Sequence, residues 1–135
     1  MNIATKAVIK SGSMYLLQLR DNKKEIFSPN HWGLFGGTKN NNETSKKAIK
    51  REIFEELGIN CKVLKKIGVG FHKPSGTKNI FYLIKSLNVI KSKNLKEGQD
   101  LGWFTLNQMK KMKITWDTKF IIKKIELGNR KKNRF

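Results

Sequence analysis

Two apolar-rich runs open the chain, "NIATKAVIK" and "MYLLQLR", with the small polar triplet Ser11–Ser13 between them. β-Branched and aromatic residues in runs of this length, broken by Ser-Gly-Ser, predict strands over Asn2–Lys10 and Met14–Arg20 joined by a tight turn. Asp21–Asn30 is polar with one proline and reads as a loop, while "HWGLFGG" reads as a short strand ending in paired glycines. The period then changes. Ile49, Ile53 and Leu57 recur every fourth residue, Thr44 suits an N-cap and Gly58 a stop, so a helix is predicted from Thr44 to about Leu57. Beyond it, Cys61–Lys73 and Asn79–Ser86 read as a long strand pair around "KPSGTK", and Leu87–Lys93 as a continuation of the sheet. Leu101–Thr105 is a further short strand, Leu106–Lys111 a one-turn helix and Thr118–Leu127 a last helix, followed by a basic tail expected to fray.

This order places the chain in the α+β class, as an α/β/α sandwich around a mixed sheet rather than a doubly wound fold. With 135 residues, one domain over residues 1–128 and a basic tail over 129–135 are expected. The hydrophobic share of 38% supports a folded core, and no apolar run is long enough to span a bilayer. The amino terminus carries lysines without a secretory apolar core, and the single cysteine, Cys61, fits a reducing compartment, so a cytoplasmic location is expected.

Charge changes the picture in two directions. A net +19 attracts polyanions and phosphorylated substrates. Yet 25 of the 29 basic residues are lysine, which is also what an AT-rich coding sequence leaves on a solvated surface. The charge suits a phosphate-bearing substrate without identifying one.

The acids are more informative. Only ten Asp and Glu are present, and four of them fall between Glu43 and Glu56. At about 100° per residue, Glu55 lies roughly 60° to one side of Glu52 and Glu56 roughly 40° to the other, so all three share one helix edge. Such like charges weaken an isolated helix by about a few tenths of a kcal/mol per pair. Arg51 can reach Glu55 but cannot neutralise three carboxylates. A hard divalent cation can, and clustered oxygens with room for water suit Mg²⁺ holding a substrate phosphate. The alternative is a solvated acidic face bridged to lysines.

The surrounding pattern bears on that choice. Gly37, five residues, Glu43, seven residues, then "REIFEELGI" from Arg51 to Ile59 fills nine constrained positions over 23 residues. This resembles the Nudix box of the Nudix hydrolases, with every defining position filled. "LLQLR" and "WGLFGG" before it, and a strand and terminal helix after it, extend the likeness over most of the chain. The resemblance implies an α/β/α Nudix fold and hydrolysis of a nucleoside diphosphate linked to a further group X. It implies Mg²⁺, with Mn²⁺ as a substitute, held by Glu52, Glu55, Glu56 and a Gly37 carbonyl. It further implies that one of these glutamates, or a later one, is the base, that Arg51 orients the carboxylates, that Glu43 braces the loop, and that Gly36 and Gly58 shape the motif.

Glu97 in "KEGQDLGWF" looks like the additional metal glutamate or base of MutT-type members. Arg20 and Lys39 are candidates for binding phosphate. Thr38 stands where MutT-type relatives carry the lysine that follows Gly-Gly, and Phe35 stands where many have proline. Trp116 and Asp117 fall where purine-nucleotide relatives read the base; as plain residues they are a core tryptophan and a helix-capping acid. His31 and His72 lack partners at metal-ligand spacing and are expected to be structural or at the substrate's edge.

A MutT-like nucleoside triphosphate pyrophosphatase, acting on normal or oxidised purine nucleotides, is therefore expected. Pro74, fifteen residues after Ile59, matches the spacing of ADP-ribose-cleaving members, so ADP-ribose or a nucleotide sugar is the runner-up. An RNA 5′-pyrophosphohydrolase, or a catalytically silent RNA-binding Nudix module, is a further reading that the basic surface permits and the intact box disfavours. No membrane partner is expected, and a monomer or homodimer suits the chain equally.

Overall fold

The computed structural model describes residues 2–91 and 94–133. Alternation along its strands builds two cores. β1 (Asn2–Ser11) runs parallel to β6 (Thr77–Ser86) on one side and antiparallel to β4 (Phe35–Thr38) on the other. β6 pairs in turn with β5 (Cys61–His72) at the edge. β2 (Met14–Leu19) turns back from β1 through only two residue pairs, then lies between β3 (Trp32–Gly33) and β7 (Asp100–Thr105). Seven strands thus form a mixed sheet among the described residues.

Successive strand residues face opposite ways. Ala7, Ile9, Leu16, Phe35, Ile80, Tyr82 and Ile84 pack against Ile49, Ile53 and Leu57 of α1 (Ser45–Leu57). Their neighbours Val8, Leu17, Leu34 and Phe81 pack instead against Met109 of α2 (Leu106–Lys110) and Ile121 and Ile122 of α3 (Trp116–Asn133). One helix below and two above make the α/β/α sandwich expected from sequence. Two glycines of β5 allow α3 to lie close: a Cβ on Gly70 would stand 2.8 Å from the Phe120 ring, and one on Gly68 3.3 Å from Ile121.

Four segments differ from expectation. "HWGLFGG" is two strands, because the chain leaves β2 at Gly33 and joins β1 at Phe35. Leu87–Lys91 adds no strand; its first residue is held by Asn60 instead, and Ser92 and Lys93 lie outside the described residues. The last helix starts two residues early, at Trp116, where Asp117 stands in its first turn. It also continues through residues 129–133 of the supposed frayed tail, while Arg134 and Phe135 lie outside the described residues. No helix among the described residues is long and apolar enough to cross a membrane.

Candidate active site

α1 carries the acidic edge, and its ends are set locally. The Thr44 hydroxyl accepts from Lys47 N–H at 3.2 Å, and Gly58 takes a left-handed φ of 65° that lets its N–H reach the Phe54 carbonyl at 2.8 Å. A cap of this kind contributes about 1 kcal/mol. Ile49, Ile53 and Leu57 are fully buried, which fixes the helix's rotation. Glu52 and Glu56 then sit at the border of the core, and Glu55 faces outward with 56% of its side chain exposed.

Arg51 organises the edge. Its Nη2 donates to Glu43 at 2.8 Å and to the Thr38 carbonyl at 3.2 Å, while its Nη1 donates to Glu52 at 3.1 Å and to both oxygens of Glu55 at 3.1 and 3.2 Å. The planar guanidinium, with five N–H donors, makes one side chain serve three acids. The Arg51 hydrogen bonds, followed by the Asn40 N–H, hold the Glu43 carboxyl down at about 2. Glu43 therefore ties the loop after β4 to the helix.

Glu56 points the other way, into the sheet. Its oxygens accept from Gly36 N–H at 3.3 Å and Gln18 Nε2 at 3.5 Å. Burial pushes its pKa up to about 8; the Gly36 N–H opposes the shift, Glu52 adds to it, Lys6 lowers it and Glu97 raises it. Burial also raises Glu52, against the pull of Arg51. The paired glycines have separate causes. At Gly36, φ is 146° and a Cβ would collide with the Thr5 carbonyl at 2.0 Å. At Gly37, a Cβ would fill the space of the Glu52 carboxylate, 2.6 Å away.

The three carboxylates share an edge but not a closed coordination shell. Among the described residues, no three His, Cys, Asp or Glu side chains converge on one metal position. Arg51 gathers Glu52 and Glu55, and Glu56 faces β4. The donor set still fits a hard divalent cation: carboxylate oxygens along one edge, with the bare Gly37 backbone against Glu52.

Beside this edge opens a cleft of about 600 Å³, within the usual range for small-molecule sites. Glu56, Glu97, Gly36 and Arg20 line it, so the structure brings these four expected residues together. Arg20 also donates from Nε to the Phe27 carbonyl at 3.0 Å, which fixes the loop over the cleft. Lys39 is not among the lining residues; its Nζ donates to the Asn40 carbonyl at 3.0 Å. Trp116 and Asp117 do not line it either. Trp116 stacks on Phe120 at 5.4 Å and meets the His72 ring at 4.9 Å, and Asp117 pairs with Lys6 at 3.5 Å. His31 is held by the Pro29 carbonyl and His72 by Ser75, and neither lines the cleft.

Lys6, Gln18, Lys23 and Lys96 also line it, and sequence reasoning passed over them. Lys6 left a signal: it is a lysine at the alternating position between Ala4 and Val8, both buried. A charge on the buried face of a strand points to a partner or a site. Lys23 and Lys96 stand in lysine-rich loops and carry no such mark.

The family model described as NUDIX domain matches residues 3–124. The chain belongs to the Nudix hydrolase family. No curated protein matches it by sequence. Solved Nudix-fold structures do resemble it. The Escherichia coli ORF135 protein is 19% identical with a TM-score of 0.76, over 94% of this chain and 89% of that one. The MutT protein of Methanosarcina mazei Go1 is 22% identical with a TM-score of 0.75, over 97% and 94%. An ADP-ribose pyrophosphatase of Streptococcus suis is 20% identical with a TM-score of 0.62, over 78% and 75%. At these identities the likeness establishes the fold, and the Nudix hydrolase assignment rests on the domain match.

Proposed function

We propose that this Nudix hydrolase is a MutT-like pyrophosphohydrolase of nucleoside triphosphates, normal or oxidised, that uses Mg²⁺ and releases a nucleoside monophosphate and pyrophosphate. One observation supports the reading: two carboxylates, Glu56 from the acidic helix edge and Glu97, line one cleft with four cations, Lys6, Arg20, Lys23 and Lys96. A triphosphate needs both, because its own charge repels the attacking oxygen until cations offset it.

Glu52, Glu55 and Glu56, with the Gly37 carbonyl, would hold the metal, and Glu97, which lines the cleft with Glu56, would add a fourth carboxylate. When bound, the metal shields the diphosphate and lowers the pKa of a water. Arg51 keeps Glu52 and Glu55 in place, and Glu43 keeps Arg51 in place. Glu97, exposed at the cleft, accepts the proton from water as its oxygen joins phosphorus and the bridge between α- and β-phosphorus breaks. Lys6, Arg20, Lys23 and Lys96 neutralise the departing phosphate oxygens. Trp116, partly exposed at the start of α3, offers a stacking face to the base, and Asp117 positions Lys6 through their 3.5 Å ion pair.

The test is a hydrolysis screen with Mg²⁺ over nucleoside triphosphates, oxidised purine triphosphates, ADP-ribose and nucleotide sugars, with products identified. Triphosphates should yield monophosphate and pyrophosphate, and Glu55→Gln should abolish turnover. Preferential cleavage of ADP-ribose would replace the triphosphate reading with the runner-up. No turnover of any substrate by the parent protein would overturn both.

A further inference from the structure

A second concavity lies between the sheet and α3. Lys6 enters the cleft from β1; Lys10, four residues on and about 13 Å away by strand rise, lines a separate trough of about 420 Å³. Its floor is apolar, with Val8, Tyr15, Leu83 and Ile125. Its rim is Lys10, Lys65, Lys66, Lys124 and Lys132, and no acid lines it. None of these lysines joins an ion pair among the described residues. Glu126, the one acid in the second half of α3, is engaged by Lys110 at 3.0 Å and Arg130 at 3.9 Å.

Two details of the backbone concentrate this charge. Neighbours on a regular strand face opposite ways, yet Lys65, Lys66 and Ile67 all line the trough. Register shifts in the β5–β6 pairing between Val63 and Lys65, and between Lys66 and Gly68, flank the lysine pair and redirect it. On α3, Lys124, Gly128 and Lys132 form one stripe, and Gly128 leaves open space between the two amines. Like charges at such spacings repel. Their concentration with no neutralising carboxylate suits an anionic partner that spans several amines at once.

We propose that this trough binds the sugar–phosphate backbone of single-stranded nucleic acid. A single phosphate could neutralise one or two of five amines, whereas a run of phosphodiesters meets them in series. The lining offers charge and aliphatic surface but no exposed aromatic on which a base could stack, so binding should be indifferent to sequence. The site is separate from the cleft, and its occupancy does not depend on which substrate the cleft hydrolyses.

The experiment measures fluorescence anisotropy of a labelled homopolymeric oligonucleotide of roughly 15 residues against the full chain, from about 50 to 200 mM salt. The K65A/K66A/K124A/K132A variant should bind at least about tenfold more weakly, with a log–log salt slope shallower by about 3. A variant with the same net charge, K46A/K47A/K111A/K113A, should lose less than about threefold and keep its slope. Nucleotide hydrolysis by the trough variant should match the parent's, and a lysine-to-glutamine set at the same four positions should repeat the binding result if the alanine set melts early. Equal losses in the two charge-matched variants would overturn the proposal, as would no binding by the parent. So would binding to anionic phosphatidylserine vesicles with none to the oligonucleotide. A parent that binds the oligonucleotide as described but cleaves no nucleotide would leave the trough standing and remove the proposed hydrolytic function.

Discussion

Glu56→Gln preserves side-chain shape and removes a charge from the most buried carboxylate of the site. The Gly36 N–H keeps an oxygen to donate to, and Gln18 can turn its amide to meet the new one. In the metal-free protein the Glu56 pKa stands near 8, against 4.5 for the unconstrained side chain. The folded state therefore holds a proton between those values that the unfolded state has already released. More protons on the folded side mean that stability falls as pH rises through this window. At about 1.4 kcal/mol per pH unit, wild type should lose about 3 kcal/mol relative to Glu56→Gln between roughly pH 5 and pH 8. Urea denaturation in chelator, repeated across that range, reads the difference directly, because other titrating groups cancel between the two proteins. Near pH 5 the two should be similar, and by pH 8 the glutamine variant should be clearly the more stable. Parallel curves would mean that Glu56 ionises normally and that its burial does not act as argued. Adding Mg²⁺ should reverse the order at pH 8 by stabilising wild type, since a carboxylate ligand has to be deprotonated.

Neighbouring glycines should respond differently. Gly37→Ala pushes only on the Glu52 carboxylate, so calorimetry should show at least a tenfold loss of metal affinity with under about 1 kcal/mol of stability lost, whereas Gly36→Ala, which meets the Thr5 carbonyl in a left-handed region, should cost about 3 kcal/mol or more in chemical denaturation. Arg51→Lys cannot donate to Glu43, Glu52 and Glu55 together, and kcat should fall by more than about tenfold, with the melting temperature lowered by only a few degrees. Ile53→Ala, at a fully buried position on the inner face of α1, should lower unfolding free energy by about 2–5 kcal/mol in urea. Chelation should lower the melting temperature and abolish turnover, and restored Mg²⁺ or Mn²⁺ should recover both in proportion to ligand concentration.

Local rules were enough to read much of this protein from its residues. The cap at Thr44, the stop at Gly58 and the four-residue recurrence of Ile49, Ile53 and Leu57 specify α1, and with it the edge that Glu52, Glu55 and Glu56 share. These are short-range effects, settled by backbone dihedrals and by one helical turn. The break in "HWGLFGG" was not legible, because it depends on Leu34 and Phe35 turning into different cores on either side of one sheet. Nor was the helical course of residues 129–133, whose basic residues alone give no reason to stay folded. Most of the cleft was hidden for the same reason. Lys6 comes from the first strand, Gln18 from the second and Lys96 from a loop near the last, and only pairing of distant strands brings them to Glu56. Ligand residue types are chosen locally along one helix, but the field they work in, its burial and its cations, is set by contacts between segments far apart in the chain.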